Sequence, residues 1–281
     1  MNDNGKIFNR TLLRARRNRA AAQWPEYNFL KCEAVARIVD SLDDIKRSFP
    51  LALDIGSHQG ELKEGVGTRV EKLITCDLAY AMRPDCVCDE EFLPFAEDRF
   101  DLVISALSLH HVNDLPGTLI QIRRCLKPDG LFLAILPGAN SLQELRASVA
   151  GAAAEHEFAL SPRISPLVEV RDAGALLQRA GFALPVVDSD VITVEYDNAF
   201  KLMEDLRGMG ESNVLMQQSK TFTSRTQLAA IAEYYQSHFA NADGTVRASF
   251  EFITMTGWKP DASQQQPAQR GSGKVNLKQV L

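Results

Sequence analysis

Four short apolar runs form the clearest pattern in the first half of the chain. They are LALDI at 51–55, KLITCD at 72–77, DLVISAL at 101–107 and LFLAIL at 131–136. Continuous apolar runs of this length, separated by loops or helices, are typical of parallel strands that are buried on both faces. The pattern therefore predicts an α/β fold in which helices cover both faces of a mainly parallel sheet.

Helices and two further strands are predicted around this core. An N-terminal arm at about 6–22 and the segment EAVARIVDSLDDIKR carry apolar residues at helical spacing. Strands are predicted at 185–196 and 249–258, with a mostly helical insertion at about 197–240 between them. The last strand of the sheet is therefore expected to follow a helical insertion.

Three regions are expected along the chain. Residues 1–48 form a helical arm and a first helix, residues 49–260 form the α/β domain, and residues 261–281 form a polar tail. Inside the domain, Ser141 and Glu144 have the spacing of a capping box, which predicts that a helix begins there.

Composition excludes several functions. The formal net charge of -5 argues against a general nucleic-acid binder, which would need a concentrated basic surface. No apolar run approaches the roughly 18 residues of a membrane-spanning helix, so no membrane span is expected. The five cysteines lack the paired spacing of a zinc site, and we expect reduced thiols.

One basic run, at Arg14, Arg16, Arg17 and Arg19, allows two interpretations. We interpret it as the solvated face of a helix. The alternative is the start of an arginine-rich mitochondrial targeting segment.

Acidic residues and glycines stand at the carboxyl ends of successive predicted strands. Asp54 ends the first strand and is followed by Gly56 and Gly60; Asp77 ends the second and Asp89 the third. In open α/β sheets, ligands bind beyond these strand ends. The positions therefore predict a nucleotide-type site, with Asp77 placed to accept hydrogen bonds from a ribose.

The fourth strand adds candidates to this site. It runs into SALSLHHVND, which places Ser105 beside the expected cofactor and His110 and His111 on the wall facing a second substrate. A histidine is suited to act as a general base, because its ordinary pKa is about 6.5. The alternative is that these histidines only bond to the backbone of their loop.

The order of these features, together with LPFAEDRFD and LKPDG, resembles the class I S-adenosylmethionine-dependent methyltransferases across about 50–136. The resemblance implies a Rossmann-like fold with a mixed seven-stranded sheet, and S-adenosylmethionine as cofactor. It implies that Asp54 and the glycine turn face the methionine part, Asp77 the ribose and Asp89 the adenine.

Longer motifs resemble one family within that class. IFNRTLLRARRNRAA, SPRISPLVEVRDAGALLQRAGF, LMEDLRGMGESN and PAQRGS look like the NADH dehydrogenase (complex I) assembly factor 5 family over nearly the whole chain. The resemblance implies an enzyme that hydroxylates an arginine of a complex I subunit during assembly.

His58 departs from the glycine-turn pattern. It stands between Gly56 and Gly60, where a D-x-G-x-G-x-G turn has glycine, because a Cβ hinders close approach of the backbone to a ligand. Two hypotheses follow: the imidazole fills part of the methionine pocket, or it points outward from a widened turn.

Two further hypotheses concern metal and substrate. His58, His110 and His111 with Asp54 could gather a metal for oxygen chemistry; no iron motif is evident, however, and we expect no metal. Other acidic residues, Glu204, Asp205 and Glu211, are predicted to recognise a cationic arginine through paired hydrogen bonds. The alternative is a solvated acidic helix face followed by a glycine turn.

The leading prediction is thus a methyltransferase-fold enzyme that hydroxylates an arginine of a complex I subunit. Its alternatives are ordinary methyl transfer to a small or acyl-carrier substrate, and a non-catalytic assembly chaperone, which His58 makes conceivable. We expect a bacterial cytoplasmic location, with the mitochondrial matrix as the alternative. The oligomeric state does not follow from the sequence.

Overall fold

The structure is a computed structural model, and it describes residues 5–158, 164–218 and 223–265. Its strands are β1 Phe49–Ile55, β2 Val70–Asp77, β3 Cys86–Val87, β4 Phe100–Ala106, β5 Leu126–Pro137, β6 Ala183–Tyr196 and β7 Val246–Trp258. Its helices are α1 Arg10–Ala20, α2 Trp24–Tyr27, α3 Phe29–Asp43, α4 Leu62–Gly65, α5 Leu115–Cys125, α6 Gln143–Glu155, α7 Val170–Arg179, α8 Ala199–Gly208 and α9 Arg225–Phe239.

The seven strands form one mixed sheet in the order β3-β2-β1-β4-β5-β7-β6. The pairs from β3 to β5 are parallel, while β7 lies antiparallel between β5 and β6. This confirms the predicted fold, including the helices α8 and α9 inserted before the last strand. Strand β2 pairs with one side of β1 and β4 with the other, so the strand order reverses at β1. In such sheets the ligand crevice is expected where the order reverses, beyond the ends of β1 and β4.

Alternate residues of the parallel strands enter two hydrophobic clusters on opposite faces of the sheet. Ala52 and Ile104 pack with α3, α6 and α9, whereas Leu53 and Val103 pack with α5 and α7. Successive side chains of a strand point to opposite faces, which is why each strand reads as continuously apolar. Both helical layers are thus explained by the sequence pattern.

The predicted capping box at Ser141 is wrong. Helix α6 begins at Gln143, and the residue before it has no side-chain cap. Instead, Ser141 Oγ donates to the carbonyl of Glu251 at 3.1 Å, and Glu144 accepts from Ser249 N at 3.0 Å. Both polar side chains bond to β7, more than a hundred residues away in sequence, so tertiary partners replaced the local ones.

One predicted strand is shorter in the structure than the sequence suggests, and other predicted segments lie outside the described residues. The third strand signal, expected to end at Asp89, is a strand of two residues, Cys86–Val87. The residues 161–163 of one quoted motif, the whole motif PAQRGS at 267–272 and most of the predicted polar tail lie outside the described residues. Among the described helices, none is long and apolar enough to cross a membrane.

Candidate active site

The turn after β1 is compressed against the loop that follows β4. Gly56 has a φ of +68°, and a Cβ built on it would lie 1.9 Å from Ser108 Oγ. A side chain at this position would therefore collide with the protein itself. The glycine is needed here for backbone conformation and for close packing of the two loops.

His58 occupies the next part of this turn in a left-handed conformation, with a φ of +50°. Its backbone N–H donates to Asp77 Oδ2 at 3.0 Å, and its ring stacks on Trp24 with centroids 4.3 Å apart. Only 2% of the residue is exposed. The imidazole therefore points into the protein, and the hypothesis of an outward ring does not hold.

Asp54, at the end of β1, carries two buried carboxylate oxygens that have no hydrogen-bond partner among the described residues. Burial raises the pKa of this carboxyl to about 6, against the opposing charge of Lys31. The ammonium of Lys31 donates instead to the carbonyls of Gly56 and Ala106, each at 2.8 Å. Asp54 is thus a buried acid with unused acceptor capacity.

Asp77, at the end of β2, is partly engaged by the backbone. Its Oδ1 accepts from Ala79 N at 2.8 Å and its Oδ2 from His58 N. Burial raises the pKa of this carboxyl, while the charge of Arg17 opposes the shift. Since a carboxylate offers about four acceptor sites, two remain for a ligand.

Two arginines of α1 reach the acids that follow β3. Arg10 Nη2 lies 2.6 Å from Asp89 Oδ1 and also contacts Glu90. Arg17 Nη1 lies 3.2 Å from both Glu90 Oε1 and Ser108 Oγ. Burial acts to raise the pKa of Glu90, but Arg10 and Arg17 together lower it to about 2.

Arg17 is entirely buried, and its Nε and Nη2 have no partner among the described residues. The interpretation of the basic run as a solvated helix face is therefore wrong for this residue. Sequence analysis missed both Arg10 and Arg17 as site residues. The available signal was their helical spacing around Leu13, which places all three on the buried face of α1.

Ser105 lies near the end of β4 and bonds to the neighbouring strand. Its hydroxyl is fully buried and donates to the carbonyl of Ile55 at 2.9 Å. This bond ties β4 to the end of β1, which gives Ser105 a positioning role in the sheet. Its hydroxyl hydrogen is used in this bond, so the predicted contact with the cofactor would use the oxygen as an acceptor.

A cavity of about 280 Å³, here called the histidine cavity, opens beside these strand ends. Its polar lining includes His58, His110, His111, Glu211 and Lys31, and its apolar and aromatic lining includes Trp24, Tyr27, Leu30, Leu145, Met203, Met209 and Phe250. Asp54, Gly56, Gly60, Asp77 and Asp89 are not among its lining residues. Of the predicted cofactor residues, His58 therefore lines the same cavity as the predicted catalytic histidines, whereas these five do not.

Glu211 meets both histidines in that cavity. Its Oε2 lies 3.0 Å from His110 Nε2 and 3.6 Å from His111 Nδ1. Burial acts to raise the pKa of Glu211, but His111 and His110 lower it below the usual value. Burial and the neighbouring His110 lower the pKa of His111 to about 3. At neutral pH the group therefore presents a carboxylate and a neutral His111.

The three predicted substrate acids do not act together. Glu204 is about half exposed, pairs with Lys201 at 2.7 Å and borders a second cavity beside Arg16 and Arg19. Asp205 borders neither cavity. Only Glu211 reaches the histidines, because the chain reverses after α8 at Gly210, whose φ is +79°.

Comparisons with known proteins agree with this fold. The family described as "Methyltransferase domain" matches residues 53–134. The YcgJ protein of Bacillus subtilis has the same fold, with a TM-score of 0.57, 17% identity, and coverage of 82% of this chain and 99% of that one.

Two curated relatives cover most of the chain. A malonyl-[acyl-carrier protein] O-methyltransferase of Xylella fastidiosa is 32% identical over 90% of this chain and 89% of its own length. The mitochondrial arginine-hydroxylase NDUFAF5 of Rattus norvegicus is 45% identical over 96% of this chain and 82% of its own length. The resemblance found in the motifs is confirmed, and the chain belongs to the NDUFAF5 family of methyltransferase-fold proteins.

Proposed function

We propose that this protein is an enzyme that binds S-adenosylmethionine beyond β1 and β2 and hydroxylates an arginine of a complex I subunit during assembly. The observation that carries the proposal is the convergence of His110, His111 and Glu211 in an otherwise largely apolar cavity. Relatives at 45% identity are named as arginine-hydroxylases, which supports this activity over methyl transfer to an acyl carrier.

The buried polar groups near the glycine turn fit the amino-acid end of S-adenosylmethionine. Asp54 has two unpartnered carboxylate oxygens, and Arg17 has two unpartnered guanidinium nitrogens. An α-ammonium and an α-carboxylate would satisfy these opposite charges, which are costly when buried without partners. The bound cofactor would supply a sulfonium centre with an activated methyl group.

The ribose and adenine are assigned to the next two acids. Asp77 keeps two acceptor sites beyond its backbone bonds, which suits the two hydroxyls of a ribose. Asp89 is paired with Arg10, so an adenine amino group would share this carboxylate with the guanidinium. Helix α1 thereby becomes part of the cofactor site.

The histidine cavity suits an arginine side chain. Its apolar walls match the methylene chain, and the lining includes the aromatic residues Trp24 and Tyr27. The lining also holds the cations Lys31 and Arg207, so a substrate guanidinium is expected to contact the carboxylate of Glu211 directly.

The deciding experiment is co-expression of this chain with the candidate complex I subunit, followed by intact-mass analysis of that subunit. A gain of about 16 Da means that oxygen was added and supports the proposal, whereas about 14 Da means methyl transfer and no change means binding only. Peptide mapping should place the oxygen on an arginine. Either of the other two masses would contradict the proposed hydroxylation.

The location we propose is the mitochondrial matrix, since the 45% identical relatives carry mitochondrial names. The expected cytoplasmic location has no support from these relatives. Arg10 and Arg17 of α1 are bonded into the fold, so we place α1 in the functional domain and not in a removable targeting segment.

A further inference from the structure

We propose that His110, His111 and Glu211 bind one divalent first-row metal ion at the wall of the histidine cavity, with iron(II) as the ion suited to the proposed hydroxylation. The inference rests on the proposed function for the choice of iron. The ligand set itself rests on geometry alone. It departs from the expectation of no metal. No local motif announces the site, because Glu211 lies 101 residues from His110.

The distances match those of neighbouring ligands around one ion. One donor atom from each of the three residues lies within 4.8 Å of the other two. Glu211 Oε2 is 3.0 Å from His110 Nε2 and 3.6 Å from His111 Nδ1. Bonds of about 2.1 Å to a common ion place adjacent ligand atoms about 3 Å apart, so only small side-chain shifts are required.

Hydrogen bonding accounts for only one contact of the cluster, the one between His110 Nε2 and Glu211 Oε2 at 3.0 Å. The Nδ1 atoms of His110 and His111 are both buried and have no partner among the described residues. The 3.6 Å separation of His111 Nδ1 from Glu211 is too long for a hydrogen bond, and His111 as a whole is 2% exposed. An unpartnered nitrogen in this position is costly unless something binds it.

The chemistry of the donors selects the class of ion. Two imidazoles and one carboxylate on one side of an ion, with the remaining positions open, is the ligand arrangement of non-haem iron(II) oxygenases. Here the open side is the histidine cavity, whose largely apolar lining would admit the substrate. The hypothetical set with Asp54 and His58 is not formed, since neither belongs to the three-residue cluster.

Cationic side chains also lie near the proposed ligands. Arg10 and Arg17 are the arginines that act on His111. Both are paired with acids: Arg10 with Asp89 and Glu90, and Arg17 with Glu90. Lys31 and Arg207 line the same cavity, so the carboxylate of Glu211 would meet a metal ion in the presence of two further cations, whose repulsion the ligand bonds must exceed.

The test is titration of the full-length, chelator-treated protein with cobalt(II), an optical probe, and then anaerobically with iron(II). We expect one equivalent of metal per chain and a visible cobalt absorption band. Glu211→Gln and His111→Ala should each weaken binding by at least about 100-fold, more than the roughly 10–100-fold cost of losing an outer hydrogen-bond partner of a ligand.

Matched controls are available on the same chain. Glu204→Gln and His156→Ala change an exposed acid and an exposed histidine outside the cluster, and should leave metal affinity unchanged. Thermal melting shows whether each variant is folded. Glu211→Gln preserves the shape of the side chain, so it remains informative if His111→Ala fails to fold. Equal affinity of Glu211→Gln and the wild type, or no binding by the wild type, would overturn the site.

The two proposals can fail separately. If one metal binds and is lost in Glu211→Gln, the site stands even where the partner subunit gains no oxygen. If the metal-free Glu211→Gln protein still adds oxygen to the partner, the metal inference fails while the hydroxylase function survives.

Discussion

The imidazole of His58 is stacked on the indole of Trp24, with ring centroids 4.3 Å apart and planes inclined by 11°. This contact joins the turn after β1 to α2 and explains how a histidine is accommodated where the glycine-turn pattern has glycine. The ring packs on Trp24, while the backbone N–H still reaches Asp77 at 3.0 Å. The turn keeps its backbone hydrogen bond to Asp77 although histidine stands where the pattern has glycine.

Two substitutions separate the ring contact from the backbone strain at His58. His58→Ala removes the ring stack but keeps a Cβ in the left-handed conformation. His58→Gly removes the ring stack and also the strain of that Cβ. We expect both variants to lose stability, with the glycine variant more stable than the alanine variant by about 1 kcal/mol, because a Cβ in this conformation costs that much. Urea unfolding measures the difference, and equal stabilities would show that the turn relaxes.

Glu90 should be essential to stability because it compensates two buried or nearly buried guanidinium groups. Glu90→Gln should lower the free energy of unfolding by about 3–5 kcal/mol, the range for leaving a buried charge without its partner. Arg17→Met in the same protein should recover part of that loss. Urea unfolding of the single and double variants tests this, and an additive further loss would contradict the pairing.

The same pair predicts a pH dependence. Because the folded pKa of Glu90 is depressed to about 2, its contribution is fully present above the ordinary glutamate pKa of about 4.3 and is lost as pH falls toward 2. The stability difference between wild type and Glu90→Gln should therefore shrink as pH falls below about 4.3. A difference that stays constant from pH 6 to 3 would contradict the shifted pKa.

Asp77 should hold the ribose of S-adenosylmethionine. Asp77→Ala is expected to weaken cofactor binding by about 1.5–3 kcal/mol, the range for hydrogen bonds to a charged group. Calorimetry measures the effect, with Glu71→Ala as a control at the exposed start of the same strand. Asp77→Asn, which retains one acceptor oxygen, distinguishes ligand contact from damage to the turn. Unchanged affinity in Asp77→Ala would remove this residue from the site.

Glu204, Asp205 and Glu211 are expected to differ in their effect on oxygen addition to the partner. Glu211→Gln should abolish oxygen addition to the partner, because Glu211 alone of the three acids lies with His110 and His111. The double variant Glu204→Gln, Asp205→Asn should retain it, since neither residue lines the histidine cavity. Mass analysis of the co-expressed partner compares the two. Loss of activity in the double variant alone would instead make the acidic face of α8 the recognition surface.

The sequence by itself determined the fold and the strand-end acids. The apolar runs of β1, β2, β4 and β5 are local signals, because a strand buried on both faces must be apolar along its length. The acids Asp54 and Asp77 follow directly from where those strands end, since parallel strands bring their carboxyl ends to one edge. Motifs spread along the chain were also sufficient to identify the family.

Tertiary structure alone decided which distant side chains meet. Arg17 reads as solvated in a basic run, but α1 packs it against Glu90, 73 positions later. Glu211 reads as one acid among three, but the reversal after α8 carries it to His110, 101 positions earlier. Local pattern records the face that a segment buries, whereas the partner on that face depends on how whole elements pack. The charge pairing and the candidate metal ligands both arise at that second level.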